Sequence, residues 1–177
     1  MKSLLLLLFL PLAGCISVRQ TPLPANQAVA VDYPATAAGD RKAELRLANS
    51  FRYGSGGVGR NEAESLRHWL DAAEAGNADA QMALASHYRT SDRERAAYWY
   101  LRAAEAGNRQ ALGALATLHG DSRNGPPDYP AALKWAYAAG NAYQINLYQK
   151  QLTPEAQAEA KRQAEEWKSR QPAKEKQ

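Results

Sequence analysis

The chain has 177 residues, with 22 Lys+Arg against 18 Asp+Glu and a formal net charge of +4. Apolar residues make up 45% and charged residues 23%, which excludes a disordered polyelectrolyte and a polytopic membrane protein. A single cysteine excludes an internal disulfide framework and a multi-thiolate zinc site, and no concentrated basic stripe points to nucleic acid.

The first element is an address. Lys2 supplies a positive n-region, residues 4–12 are apolar, and small residues precede Cys15, which is the layout of a cleaved secretory signal over residues 1–14. The apolar run is shorter than the about 20 residues a membrane-spanning helix needs. Leu12-Ala13-Gly14-Cys15 is similar to the lipobox of bacterial lipoproteins. That resemblance implies acylation of Cys15, with palmitate among the chains, and anchoring through the lipid. Multiple acyl chains give stable anchoring where one does not. Ile16 rather than Asp after the cysteine favours the bacterial outer membrane, with the folded part facing the periplasm. Residues 15–39 hold Pro22, Pro24 and Pro34 with no helical stripe, and are expected to form a lipidated, extended tether.

From residue 40 the chain repeats itself. Ala72-Ala73-Glu74-Ala75-Gly76-Asn77 recurs as Ala103-Ala104-Glu105-Ala106-Gly107-Asn108, and a degraded copy ends in Ala138-Ala139-Gly140-Asn141. Ahead of them lie Leu47-Ala48-Asn49-Ser50-Phe51, Leu84-Ala85-Ser86-His87-Tyr88 and Leu115-Ala116-Thr117-Leu118-His119. Leu84 and Tyr88, four apart, share one helix face, and Ala85 between them allows close approach of a neighbour. Trp99 and Ala103 make a matching stripe on a second helix. Gly107 supplies a left-handed helix end, and Asn108 is expected to tolerate a similar geometry. Helices this short cannot bury a stripe alone, whereas stacked hairpins build a continuous core. The expected fold is all-α, a short α-solenoid of about three helix-pair repeats.

These residues resemble the Sel-1-like repeat family, relatives of the tetratricopeptide repeats. The best-matching unit runs from Leu47 to Asn77, with the loop Tyr53-Gly54-Ser55-Gly56-Gly57-Val58-Gly59 and Trp69 ahead of the Ala-Gly-Asn end. The second unit departs from the pattern with the tighter connection Thr90-Ser91-Asp92-Arg93. In the third, His119 replaces the aromatic, Pro126-Pro127 enters the loop and the second helix shortens near Trp135. That unit either packs irregularly or serves as a terminal cap. Thr153-Pro154-Glu155 then reads as a helix start, and Ala156, Ala160, Ala164 and Trp167 form the stripe of a capping helix. The expected division is a repeat array over 40–152, a capping helix over 153–170 and a frayed tail over 171–177.

Motifs with chemical meaning are few. Gly54 to Gly59 matches G-x-G-x-x-G, but a helix rather than a strand precedes it, so it reads as an interhelix turn. His68, His87 and His119 show no His-x-x-x-His pattern and no carboxylate at a convincing ligand spacing, and no metal is expected. Ser55 and Ser86 lack a nucleophile context. Trp69, Trp99 and Trp135 recur at equivalent second-helix regions and read as core or inter-repeat packing. No catalytic residue and no cofactor are expected.

In helical-pair solenoids the first helix of each unit lines the concave face. Counting from Leu47, Leu84 and Leu115, that face carries the ladder Asn49, Ser86 and Thr117, with Arg52 and Arg89 further along. Leu45, Met82 and Gly113 precede it. Polar rungs, guanidinium groups and an adaptable methionine suit an extended peptide or an acidic protein edge. The expected function is a lipid-anchored periplasmic adaptor that binds an envelope or secreted protein there. The family resemblance suggests secretion or polysaccharide-export assemblies. An immunity protein neutralising a toxin stands beside it, and a small cell-wall or β-lactam-directed hydrolase is the enzymatic alternative.

Overall fold

The computed structural model describes residues 40–171, apart from residue 124. The signal segment 1–14, Cys15, the tether 15–39 and the tail from 172 lie outside the described residues. Those described form eight helices and no strand: α1 Arg41–Tyr53, α2 Glu62–Glu74, α3 Ala78–Tyr88, α4 Arg93–Glu105, α5 Arg109–Gly120, α6 Tyr129–Ala139, α7 Ala142–Gln149 and α8 Pro154–Arg170. Each of α1/α2, α3/α4 and α5/α6 is a packed hairpin, and successive hairpins stack. The chain is an α-solenoid.

The recurring Ala-Gly-Asn end is the joint between hairpins. The N–H groups of Gly76 and Asn77 donate back to the carbonyls of Ala73 and Ala72, and those of Gly107 and Asn108 to Ala104 and Ala103. Only glycine sits comfortably at the φ of 88° and 98° that these turns require. The asparagine does not use the left-handed geometry it could tolerate: Asn108 has φ −75° and is the N-cap of the following helix. Its side-chain oxygen accepts from Gln110 N–H, as Asn77 accepts from Asp79 and Ala80 and Asn141 from Gln144. One residue thus closes a helix with its backbone and opens the next with its side chain. The same device recurs at each of the three joints, Asn77, Asn108 and Asn141.

The core follows the same repeat. Leu47, Leu84 and Leu115 are each at most 1% exposed, and buried alanines beside them let neighbouring helices approach. Tyr88 and Trp99 touch the apolar clusters of both the first and the later units, so the core runs through the joints. The tryptophans do not occupy equivalent positions. Aligned on Gly76 and Gly107, Trp69 corresponds to Tyr100, both 3% exposed, while Trp99 corresponds to His68 and is only half-buried. Trp135 lies two positions further round its helix and meets Trp167 edge to face at 5.6 Å.

The third unit carries the departures its sequence announces. Helix α6 has 11 residues against 13 in α2 and α4. Arg93 crosses to its loop, donating to the His119 carbonyl at 2.7 Å and the Pro126 carbonyl at 3.0 Å. At the end of the stretch 40–152 expected to be the repeat array, Ala142–Gln149 form α7, which takes the place of a fourth first helix. Thr153 caps α8 at the Ala156 N–H, and α8 buries Ala160 and Ala164 against α6 rather than pairing with α7. Among the described residues no helix is long and apolar enough to cross a membrane.

Candidate functional site

The first helices carry the candidate residues, and each polar rung has a partner built by the repeat. Trp69 Nε1–H donates to Asn49 Oδ1 at 3.3 Å, and the equivalent Tyr100 hydroxyl lies 3.3 Å from Ser86 Oγ. In the third unit the equivalent residue is Leu133, which has no polar atom. There Gln144 from α7 donates to Thr117 Oγ1 at 2.9 Å and to the Gly113 carbonyl at 3.0 Å.

These differences decide where the face is open. Gly113 and Gly120 occupy the positions of Met82 and Arg89 in the preceding unit. Their lack of side chains lets α7 close down on α5, with the Tyr148 ring seated where a Gly120 Cβ would be. Between α1 and α3 the corresponding positions carry Leu45 and Arg52, and a cleft of about 230 Å³ remains. It is lined by Asn49, Arg52, Tyr53, Trp69, Ala83 and Ser86. The Arg52 guanidinium lies over the Trp69 ring, 5.0 Å from its centroid, and this cation–π contact helps hold it in place. Tyr53 at the rim is 74% exposed.

Of the residues expected to form a continuous ladder, the structure brings together Asn49, Arg52 and Ser86. Met82 is half-buried against the core and does not line the cleft. Thr117 is exposed, but its hydroxyl already donates to the Gly113 carbonyl and accepts from Gln144. Arg89 is exposed at the C-cap of α3, on the side of Asp121, and does not line the cleft. The ladder is therefore confined to the first two units. Sequence reasoning missed Trp69 and Tyr53 as cleft residues, because it assigned the tryptophan wholly to packing and the tyrosine to a turn.

Beside the cleft, at the loop end of the first hairpin, Arg52 also borders a small hollow with Arg60, Glu62 and Ser65. A separate hollow of about 280 Å³ lies between the last turn of α8 and the α4–α5 joint, bordered by Leu112 and Trp167.

The histidines acquire partners that spacing along the chain does not reveal. His68 is 2% exposed and stacks on Phe51. Its Nδ1 lies 2.6 Å from Glu44 Oε2, 24 residues away, and its Nε2 lies 2.9 Å from Arg67 Nη2. Arginine can only donate, so Nε2 accepts and Nδ1–H donates to Glu44. Glu44, His68 and Asp71 stand close enough to share a cation. Arg67 supplies a positive charge to that group, bonding Glu64 and reaching Asp71 at 3.5 Å. The His68–Glu44 hydrogen bond joins α1 to α2, and the Arg67 ion pairs on α2 adjoin it. His87 faces Glu62 at 3.5 Å. His119 is half-buried, 3.9 Å from Asp128.

The architecture is that of a helical repeat protein whose first two units frame a cleft. The Sel1 repeat pattern matches residues 41–77, 78–108 and 110–142, and the chain belongs to the Sel1 repeat family. The first two matches end on the capping Asn77 and Asn108, and the third ends one residue past Asn141. Sel1 repeats generally mediate protein–protein interaction. The crystal structure of a Sel1 repeat protein from Oxalobacter formigenes is similar, with a TM-score of 0.59 at 19% identity, over 80% of this chain and 64% of that one. This chain therefore spans less than two thirds of that relative, and the likeness concerns the fold. A protective antigen present in uropathogenic Escherichia coli strains, with an SLR fold, aligns at a TM-score of 0.42 and 19% identity, over 82% of this chain and 41% of its own. No curated protein matches the chain.

Proposed function

We propose that the chain is a lipid-anchored adaptor of the bacterial envelope, held at the outer membrane through Cys15, which captures a protein segment in the cleft between α1 and α3. The observation that carries this reading is the contrast between the two ends of the array. The α5–α7 side is closed by glycines, whereas the α1–α3 side holds an open cleft with an oriented guanidinium, two hydrogen-bonding rungs and an exposed tyrosine. Aromatic and arginine side chains that are pre-positioned in a recess contribute most to protein recognition, because little rotamer entropy is left to lose. The reading has no catalytic step and uses no cofactor.

Affinity capture from solubilised envelope tests it. The natural full chain and an Arg109→Glu control, altered outside the cleft, are expected to retain a common partner that Arg52→Glu loses. Undiminished capture by a folded Arg52→Glu variant overturns the cleft. Anchoring is tested separately by palmitate labelling: incorporation into the natural chain is expected to vanish in Cys15→Ser, and persistent labelling overturns it.

A further inference from the structure

The hollow beside the cleft has an unpartnered buried hydroxyl in its wall. Ser65, on the first turns of α2, is 1% exposed, and its Oγ has no hydrogen-bond partner among the described residues. A buried hydroxyl without a partner is costly, typically about 1–3 kcal/mol, and calls for something to bond. Packing does not require the hydroxyl. The equivalent position in the second unit is Ala96, fully buried in the same helix register.

The other walls are cationic. Arg52 reaches the hollow from α1 and Arg60 from the loop before α2. Among the described residues neither guanidinium is in an ion pair, although both are fork donors suited to a carboxylate. The N-terminus of α2 adds its own positive end. The one acid in the wall, Glu62, is shared with His87 on α3 at 3.5 Å. Formal charge among Arg52, Arg60 and Glu62 is +1, which favours an anion. The space is small, about 10 Å³, enough for one water-sized group such as a single carboxylate oxygen. A backbone segment does not fit it, whereas one oxygen at the tip of an acidic side chain matches its size.

We propose that Arg52, Arg60 and Ser65 form a subsite for an Asp or Glu side chain of the segment held in the cleft. One carboxylate oxygen accepts from Ser65 Oγ–H, and the carboxylate lies between the two guanidinium groups. Arg52, shared by the hollow and the cleft, couples the two. This inference rests on the cleft reading, but Arg60 and Ser65 border only the hollow, so the two can fail separately.

The test uses the full chain in detergent, labelled with ¹⁵N at arginine, and follows the Nε–H signals of Arg52 and Arg60. Sodium acetate is expected to shift both saturably, while acetamide and sodium chloride at matched ionic strength do not. Ser65→Ala, which installs the residue the second unit already tolerates, and Arg60→Gln on the exposed loop should each weaken acetate about tenfold, as loss of one charge-assisted hydrogen bond implies. Absence of saturation, an equal response to acetamide, or tighter binding of sulfate than of acetate overturns the carboxylate assignment. Partner capture that is lost in Arg52→Glu but unaltered in Arg60→Gln overturns the subsite and leaves the cleft standing.

Discussion

His119 stands where the first two units carry Phe51 and Tyr88, and the substitution has a thermodynamic signature. Burial holds its imidazole below the ordinary value of 6.5; Asp128 opposes the shift, while Arg93 and Lys134 add to it. An imidazole depressed in the folded state takes its proton first in the unfolded chain. Its contribution is therefore complete above pH 6.5 and declines as the pH falls below that value. His119→Phe restores the aromatic of the other units and is expected to flatten this part of the profile. Urea denaturation at pH 7.5 and 5.5 should show a smaller difference for the variant than for the natural chain. The tryptophans are separable in the same way. Trp69→Ala is expected to cost about 3–5 kcal/mol, as deep aromatic truncations do. Half-buried Trp99 should cost roughly half as much, because less apolar area is lost. Equal costs would contradict the register that pairs Trp69 with Tyr100.

Between elements, small residues decide which helices touch. Gly120 ends α5 at the position of Arg52 and Arg89, and any Cβ there collides with the Tyr148 ring of α7. Gly120→Ala would gain at most about 1 kcal/mol of helix propensity. The collision in a packed site costs about 1–3 kcal/mol, so net destabilisation is expected, with the loss of order centred on α7. Chemical denaturation, read with hydrogen exchange over residues 142–149, measures both. A stabilised variant would show that Tyr148 swings aside freely and that closure of this end does not depend on the glycine. Ion pairs matter less at this scale. The Arg162 pairs with Glu159 and Glu166 and the Lys168–Glu165 pair lie on the solvent face of α8, where such pairs contribute little beyond helix propensity.

For the molecule as a whole, stability runs along the array from unit to unit. Helix α8 covers the outer side of α6 with Ala160, Ala164 and the Trp167–Trp135 contact. Ending the chain after Leu152 should expose Trp135 and loosen the last unit first. Hydrogen exchange is expected to accelerate strongly in α5–α7 and little in α1–α2, leaving the cleft region intact. A uniform loss of protection would instead mean that the units unfold together. The outcome bears on the proposed function, because the α1–α3 cleft lies at the end of the array remote from this cap.

The fold was legible because its determinants are local and repeated. Leu47, Leu84 and Leu115 mark one buried position, and each Ala-Gly-Asn end writes out a left-handed turn followed by a helix cap. Three copies of a local rule are enough to define a solenoid, and the asparagines mark the repeat ends to within a residue. The cleft was only half legible. Asn49, Arg52 and Ser86 could be placed on one face by counting from the leucines, but the same count included Met82, Arg89 and Thr117. What removed those three was decided in three dimensions: the direction in which Met82 packs, the side of α3 on which Arg89 lies, and the arrival of Gln144 and Tyr148 from α7. The Glu44–His68 pair and the hydroxyl of Ser65 were likewise invisible, since partners 24 residues apart, or a partner withheld, leave no trace in spacing. Periodicity is a property of one helix and can be read along the chain, whereas an open recess is set by how far two helices stand apart.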